Sequence, residues 1–124
     1  RAHDKYHSPS LWTNTCCSHQ REGEGNIEAG KRRLKEEMGF TTDLKELFHF
    51  IYQAPFDNGL TEHELDHVLL GYYHGLPKIN KLEVADWKWM NIQSISESIE
   101  TNPQNYTVWF KIIFDQFIKK INSL

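Results

Sequence analysis

Cysteine is scarce: Cys16 and Cys17 are the only two in 124 residues, and they are adjacent. A disulfide framework needs spaced cysteines, and neighbours pair only through a strained ring. Disulfide stapling is therefore excluded, and both thiols are read as free, in a reducing cytoplasm. No apolar run approaches the roughly 18 residues that suggest a membrane span, so no membrane partner is expected. A basic excess is missing as well. Fourteen Lys and Arg against 17 Asp and Glu leave a net charge of −3. Without a cationic surplus to displace phosphate counterions, the sequence does not read as a nucleic-acid binder. Residue 1 is Arg rather than Met, with no signal-like apolar stretch behind it. The chain is thus expected to begin downstream of the translation start. Repeats and low-complexity tracts are absent, and the prolines (Pro9, Pro55, Pro77 and Pro103) are dispersed.

What remains is ordinary globular composition, 39% hydrophobic and 25% charged, and residues 1–124 form one domain's worth of sequence. A short extended stretch is expected around Leu11–Thr15. Asn26 is placed to cap a helix over Ile27–Met38, with Ile27, Leu34 and Met38 as its buried stripe. Gly39 stands where a left-handed C-cap belongs. Leu47–Ala54 is aromatic and β-rich and reads as a strand. Asp57-Asn58-Gly59 is a turn into a second strand, Leu60–Tyr73, that pairs with the first. Val84–Met90 alternates as a third strand, and Ser94–Thr101 as a short helix. Thr107–Ile121 carries Trp109, Ile112, Ile113, Phe117 and Ile121 at helical spacing, an amphipathic helix that packs on the sheet. The pattern predicts a layered α/β or α+β domain.

Charge is concentrated in one place. Glu24 precedes Arg32-Arg33-Leu34-Lys35-Glu36-Glu37-Met38-Gly39-Phe40. On a helix, residues 33, 36 and 37 share a face, so Arg33 and Glu37 can offer a cation and a metal-binding carboxylate together. Diphosphates suit that pair, a fork-shaped donor beside a hard divalent ion. The bland alternative for Glu36 and Glu37 taken alone is a solvated, charged rim. On an extended strand Glu62 and Glu64 would point to one side, and His63 to the other. The two carboxylates are therefore candidates to hold one ion.

The stretch from Ser18 to Phe40 resembles the Nudix box, with Ser18 at the first Gly and Arg33 where the box has its first helical Glu. Trp12-Thr13-Asn14-Thr15-Cys16-Cys17-Ser18-His19, then Tyr52, then Glu62-His63-Glu64, resemble the type I isopentenyl-diphosphate isomerases of the same superfamily. The likeness runs from Arg1 to the Trp-Phe-Lys-Ile segment at Trp109–Ile112, and the order and spacing of its motifs make it specific.

The resemblance implies a Nudix-type αβα sandwich with a mixed sheet, whose early strands and two further metal-binding histidines would lie upstream of Arg1. It implies interconversion of isopentenyl and dimethylallyl diphosphate by protonation and deprotonation, with Cys17 and Glu64 on opposite faces of the substrate and Tyr52 hydrogen-bonding near Glu64. His19, Glu62 and Glu64 would bind Mn²⁺, Mg²⁺ or Zn²⁺, and Glu37 a Mg²⁺ that grips the diphosphate. Arg1, Lys5 and Arg33 match basic residues that contact the diphosphate, and Trp109 the aromatic facing the developing cation. The alternative is a Nudix hydrolase of a nucleoside diphosphate derivative, against which Arg33 speaks, because hydrolases usually keep the Glu it replaces. A third reading is a non-catalytic binding module. Cys16, Trp12, Trp87 and Trp89 are left to packing, and His3, His7, His49, His67 and His74 are given no ligand role. Oligomeric state is not legible.

Overall fold

A computed structural model describes residues 1–2, 10–17, 20–55 and 61–122, with residues 52–55 and 61–64 followed by their backbone. The elements run α1 (Asn26–Met38), β1 (Leu44–Pro55), β2 (Thr61–Gly71), α2 (Ile92–Thr101), a single 3-10 turn (Pro103–Asn105) and α3 (Val108–Asn122).

The two strands form an antiparallel sheet, registered from Leu44↔Gly71 through His49↔His67 to Pro55↔Thr61, with a bulge between Glu46 and Phe48. The expected hairpin exists, three residues longer at the start of β1 than its aromatic run suggests. The turn assigned to Asp57–Gly59 lies outside the described residues. Among the described residues the sheet is purely antiparallel, not mixed; one parallel bridge, Trp12 to Tyr106, sits apart from it. A short connection between adjacent strands permits only the antiparallel pairing.

Alternation along the strands gives the sheet two faces. On one, α1 crosses Leu44 and Leu69 at Gly30, where a Cβ would stand 2.6 Å from Leu69 Cδ1. On the other, Phe50 packs against Trp109 of α3, together with Ile112 and Ile113. Helices on both faces of the sheet are the αβα layering expected.

Helix α1 begins one residue earlier than predicted, behind Gly25, and Asn26 makes no cap hydrogen bond. Its end is as read. Gly39 adopts φ 77°, and its N–H donates to the Lys35 carbonyl at 3.1 Å. Leu34 and Met38 are buried as expected; so are Ala29 and Glu37. Helix α2 starts at Ile92, two residues earlier than read, and is capped by Asn91, whose Oδ1 accepts from Ser94 N at 2.8 Å. Val84–Met90 is not a strand. Its alternation survives as half-buried Ala85 and Trp87 beside exposed Asp86 and Lys88, but a strand needs a hydrogen-bonded neighbour, and no ladder forms there among the described residues.

Ahead of α1, the loop is clamped to the helix. Arg32 Nε and Nη2 donate to the two Glu24 carboxylate oxygens at 2.7 and 3.0 Å, while Nη1 reaches Glu36 at 2.9 Å. The Glu24 carboxylate also accepts from the Arg21 amide at 2.8 Å. The Arg32 hydrogen bonds, then the Arg21 amide, pull the Glu24 carboxyl down from 4.5 to about 2. This fork joins Glu24 to the Arg32 end of the charged run that it precedes.

Two outcomes follow from these contacts. Gly39→Ala forces an L side chain into the left-handed region and sets its Cβ 2.4 Å from the Lys78 carbonyl oxygen. It should cost at least about 1–2 kcal/mol, seen as a lower urea midpoint at unchanged slope. A carboxyl with a depressed folded pKa stabilises above its unfolded value and loses that contribution as pH falls through the folded one. Glu24→Gln should therefore lower the thermal midpoint near neutral pH. Its deficit against the parent chain should close as pH falls from about 4.5 to about 2, in unfolding curves recorded across that window.

Candidate active site

The segment before α1 owes its shape to two threonines and an asparagine. Thr107 is fully buried, and its hydroxyl accepts from Phe110 N at 3.2 Å, closing the first turn of α3. The same oxygen lies 2.9 Å from Thr13 Oγ1. Thr13 in turn donates to Asn14 Oδ1 at 2.9 Å, so the shared proton between the threonines comes from Thr107. Asn14 Nδ2 donates to the Cys16 carbonyl at 2.8 Å. Backbone bonds complete the splice: Trp12 N to the Asn105 carbonyl and Thr107 N to the Trp12 carbonyl, both 2.9 Å. The Thr-Asn pair is thus a bracket that turns the chain, leaving Cys16 half-buried and Cys17 exposed.

Cys16 Sγ donates to Glu37 Oε2 at 3.4 Å. Burial first, then the charge of Glu37, pushes this thiol up well beyond the ordinary cysteine range, so it stays protonated. Glu37, only 6% exposed, pairs through the same oxygen with Arg33 Nη2 at 2.9 Å. Arg33 also meets Glu36 at 3.1 Å and Glu83 at 3.5 Å. The hydrogen bond that Glu36 accepts from Arg32, foremost, holds the Glu36 carboxyl below its usual value. The cation and the carboxylate that the helical spacing put on one face are in direct contact.

Across the site stands Trp109, 1% exposed, with the Arg1 guanidinium carbon 5.1 Å from its ring centroid. A Trp face attracts cations through its quadrupole, by about 2 kcal/mol or more once water is excluded. The terminal amino group of Arg1 donates to the Leu11 carbonyl at 2.8 Å, and Ala2 N to the Glu83 carbonyl at 3.1 Å. The contacts close a circuit: Arg1 and Trp109, Thr107 to Thr13 and Asn14, Cys16 to Glu37 and Arg33, then Glu83 back to Ala2.

Of the residues singled out from sequence, Cys17, Arg33, Glu37, Trp109 and Arg1 lie on or next to this circuit. Tyr52, Glu62 and Glu64 lie on the hairpin, where Tyr52 registers with Glu64 and Ala54 with Glu62. Phe50, two residues before Tyr52, touches Trp109 and so ties that end of the hairpin to the circuit. Lys5 and His19 lie outside the described residues. The oxygen donor of Glu37, buried beside a guanidinium, fits a hard divalent ion and a diphosphate better than a soft metal. Sequence reasoning missed Glu83, the Thr13–Thr107 bracket and the role of Cys16. Only the first had any visible signal, an acid immediately ahead of the stretch read as a strand. Two histidines denied a ligand role, His49 and His67, meet Glu46 in a group with metal-ligand spacing. No helix among the described residues is long and apolar enough to cross a membrane.

The NUDIX domain family matches residues 1–110 of the chain. Isopentenyl-diphosphate Delta-isomerase 2 of Aromatoleum aromaticum is 44% identical over 118 residues, 95% of this chain and 62% of the relative. The protein of that name from Photorhabdus laumondii is 50% identical over 115 residues, 93% of this chain and 65% of its own length. The isopentenyl-diphosphate Delta-isomerase of Aliivibrio fischeri is 41% identical over 128 residues, 99% of this chain and 71% of the relative. The chain thus spans under two thirds of the first two relatives and somewhat more of the third. With a match over most of its length and relatives at this identity, the chain belongs to the Nudix family and, within it, to the family of the isopentenyl-diphosphate Delta-isomerases.

Proposed function

We propose that this protein interconverts isopentenyl diphosphate and dimethylallyl diphosphate, as a cytoplasmic enzyme of isoprenoid biosynthesis. The observation that carries the reading is the circuit itself. It joins the Cys16–Cys17 segment to the Arg33–Glu37 pair, and Arg1 to the face of Trp109. The relatives' name supplies the reaction.

Shifting a carbon–carbon double bond requires a proton delivered to one carbon and another withdrawn two carbons away, through a tertiary carbocation. Cys17 and Glu64 are the two proton-transfer groups, from opposite faces of the substrate, each worth about 10²–10⁴-fold. Tyr52 orients Glu64 by a hydrogen bond. Trp109 faces the cationic carbon and stabilises it. Arg1, Lys5 and Arg33 bind the diphosphate, Arg33 trading one of its three carboxylate partners for phosphate oxygens. Glu37 would hold the Mg²⁺ that meets the diphosphate; His19, Glu62 and Glu64 would hold a second ion, Mn²⁺, Mg²⁺ or Zn²⁺. The chemistry such ions supply is neutralisation of the diphosphate charge and adjustment of the proton affinity of Glu64. Cys16, kept protonated beside Glu37, serves to orient that carboxylate.

The reading is tested on the purified protein with isopentenyl diphosphate and Mg²⁺, following dimethylallyl diphosphate by ¹³C NMR. Cys17→Ala should lose at least about 10²-fold in kcat while still binding substrate in calorimetry. Undiminished isomerisation by that variant would remove Cys17 from the mechanism. Phosphate release from nucleoside diphosphate derivatives, unchanged in Cys17→Ala, would replace the isomerase reading by a hydrolase.

A further inference from the structure

The sheet face that packs on α1 carries a second cluster of metal-ligating side chains. His49 and His67 are directly opposed across the hairpin, their rings 5.6 Å apart between centroids and tilted 47°. His67 Nδ1 lies 2.6 Å from Glu46 Oε1. One donor atom from each of Glu46, His49 and His67 lies within 4.8 Å of the others.

The meeting depends on the β-bulge. In an unbroken strand residues 46 and 49 would fall on opposite faces. Between Glu46↔Leu69 and Phe48↔Val68 the hairpin spends two residues of β1 on one of β2. Leu47 is the extra residue, and it brings Glu46 round to the face of His49. Bulges re-aim side chains in this way. From α1, Asn26 Nδ2 donates to the same Glu46 oxygen at 3.5 Å, the kind of outer contact that fixes a ligating carboxylate.

We propose that Glu46, His49 and His67 form a binding site for a borderline divalent transition metal, Zn²⁺ in the first instance, that clasps β1 to β2. Two imidazole nitrogens and one carboxylate oxygen are a Zn²⁺ donor set, at about 2.0–2.2 Å from the ion. They are poorly matched to Mg²⁺ or Ca²⁺, which take oxygen. All three residues are exposed, so water completes the coordination and the ion exchanges freely. The clasp sits three residues from both Tyr52 and Glu64, on the same pair of strands, and would fix their register. It is separate from the ions assigned above and does not rest on the isomerase reading.

The probe is Zn²⁺ alone, with Co²⁺ as its spectroscopic substitute, titrated into the metal-free protein by calorimetry. To isolate the clasp, the titration is run in a Glu62→Gln/Glu64→Gln background as well as in the parent chain. One equivalent should bind in that background, and the parent chain should bind this equivalent in addition to any Zn²⁺ taken by His19, Glu62 and Glu64. Adding His49→Gln, His67→Gln or Glu46→Gln should weaken it by at least about 10–100-fold, and the double histidine change should abolish it. In the parent chain, Zn²⁺ should shift the ring ¹⁵N resonances of His49 and His67, a readout that survives any failure of the background variants to fold. Zn²⁺ binding in the Glu62→Gln/Glu64→Gln background that is indifferent to His49→Gln and His67→Gln, or unmoved ring resonances in the parent chain at millimolar Zn²⁺, would overturn the site.

Discussion

The carboxylate of Glu37 is the constraint around which this molecule is arranged. A buried charge is costly unless paired and hydrogen-bonded, and removing one member of such a pair typically costs about 3–5 kcal/mol. Glu37 meets that demand from two directions, Arg33 on its own helix and the Cys16 thiol from the preceding loop. Both partners are committed elsewhere in turn. Arg33 holds Glu83, and the Cys16 carbonyl is held by Asn14, beside the Thr13–Thr107 bracket at the head of α3. Satisfying one acid therefore draws four separate parts of the chain together.

The sheet serves two masters. Its Phe50 face abuts Trp109, while the opposite face takes α1 at Gly30 and then opens outward to Glu46, His49 and His67. Beyond these, Ile51 and Leu65 pair across the strands and are exposed, at 70% and 51%. Exposed apolar pairs next to metal-ligating side chains give this half of the hairpin a character distinct from that of the buried half.

Much of this was legible in residue order. Helical spacing gave α1 and α3, and Gly39 marked the end of α1 because few other residues accept φ 77°. The alternating aromatics gave the hairpin. The run from Glu24 to the Arg32–Phe40 stretch belongs to the box-like motif, and its physical content is a fork of hydrogen bonds. Val84–Met90 misled because alternation describes a half-buried extended segment whether or not a neighbour pairs with it. The bulge at Leu47 escaped because a single extra residue leaves no compositional mark, and so the meeting of Glu46 with His49 escaped too. Cys16 looked idle because its partner lies 21 residues on, and no local rule connects them. The roles of Cys17, Arg1 and Glu64 came from family likeness rather than from any period.

The Thr13–Thr107 contact spans 94 positions, and the circuit it belongs to draws on both ends of the chain. Helices and hairpins form from neighbours within microseconds, whereas contacts between distant residues wait on loop closure. A chain that has already built α1, α3 and the β1–β2 ladder still lacks these long-range contacts. The circuit around Glu37 is thus a property of the last contacts to close, and partly folded copies would lack it.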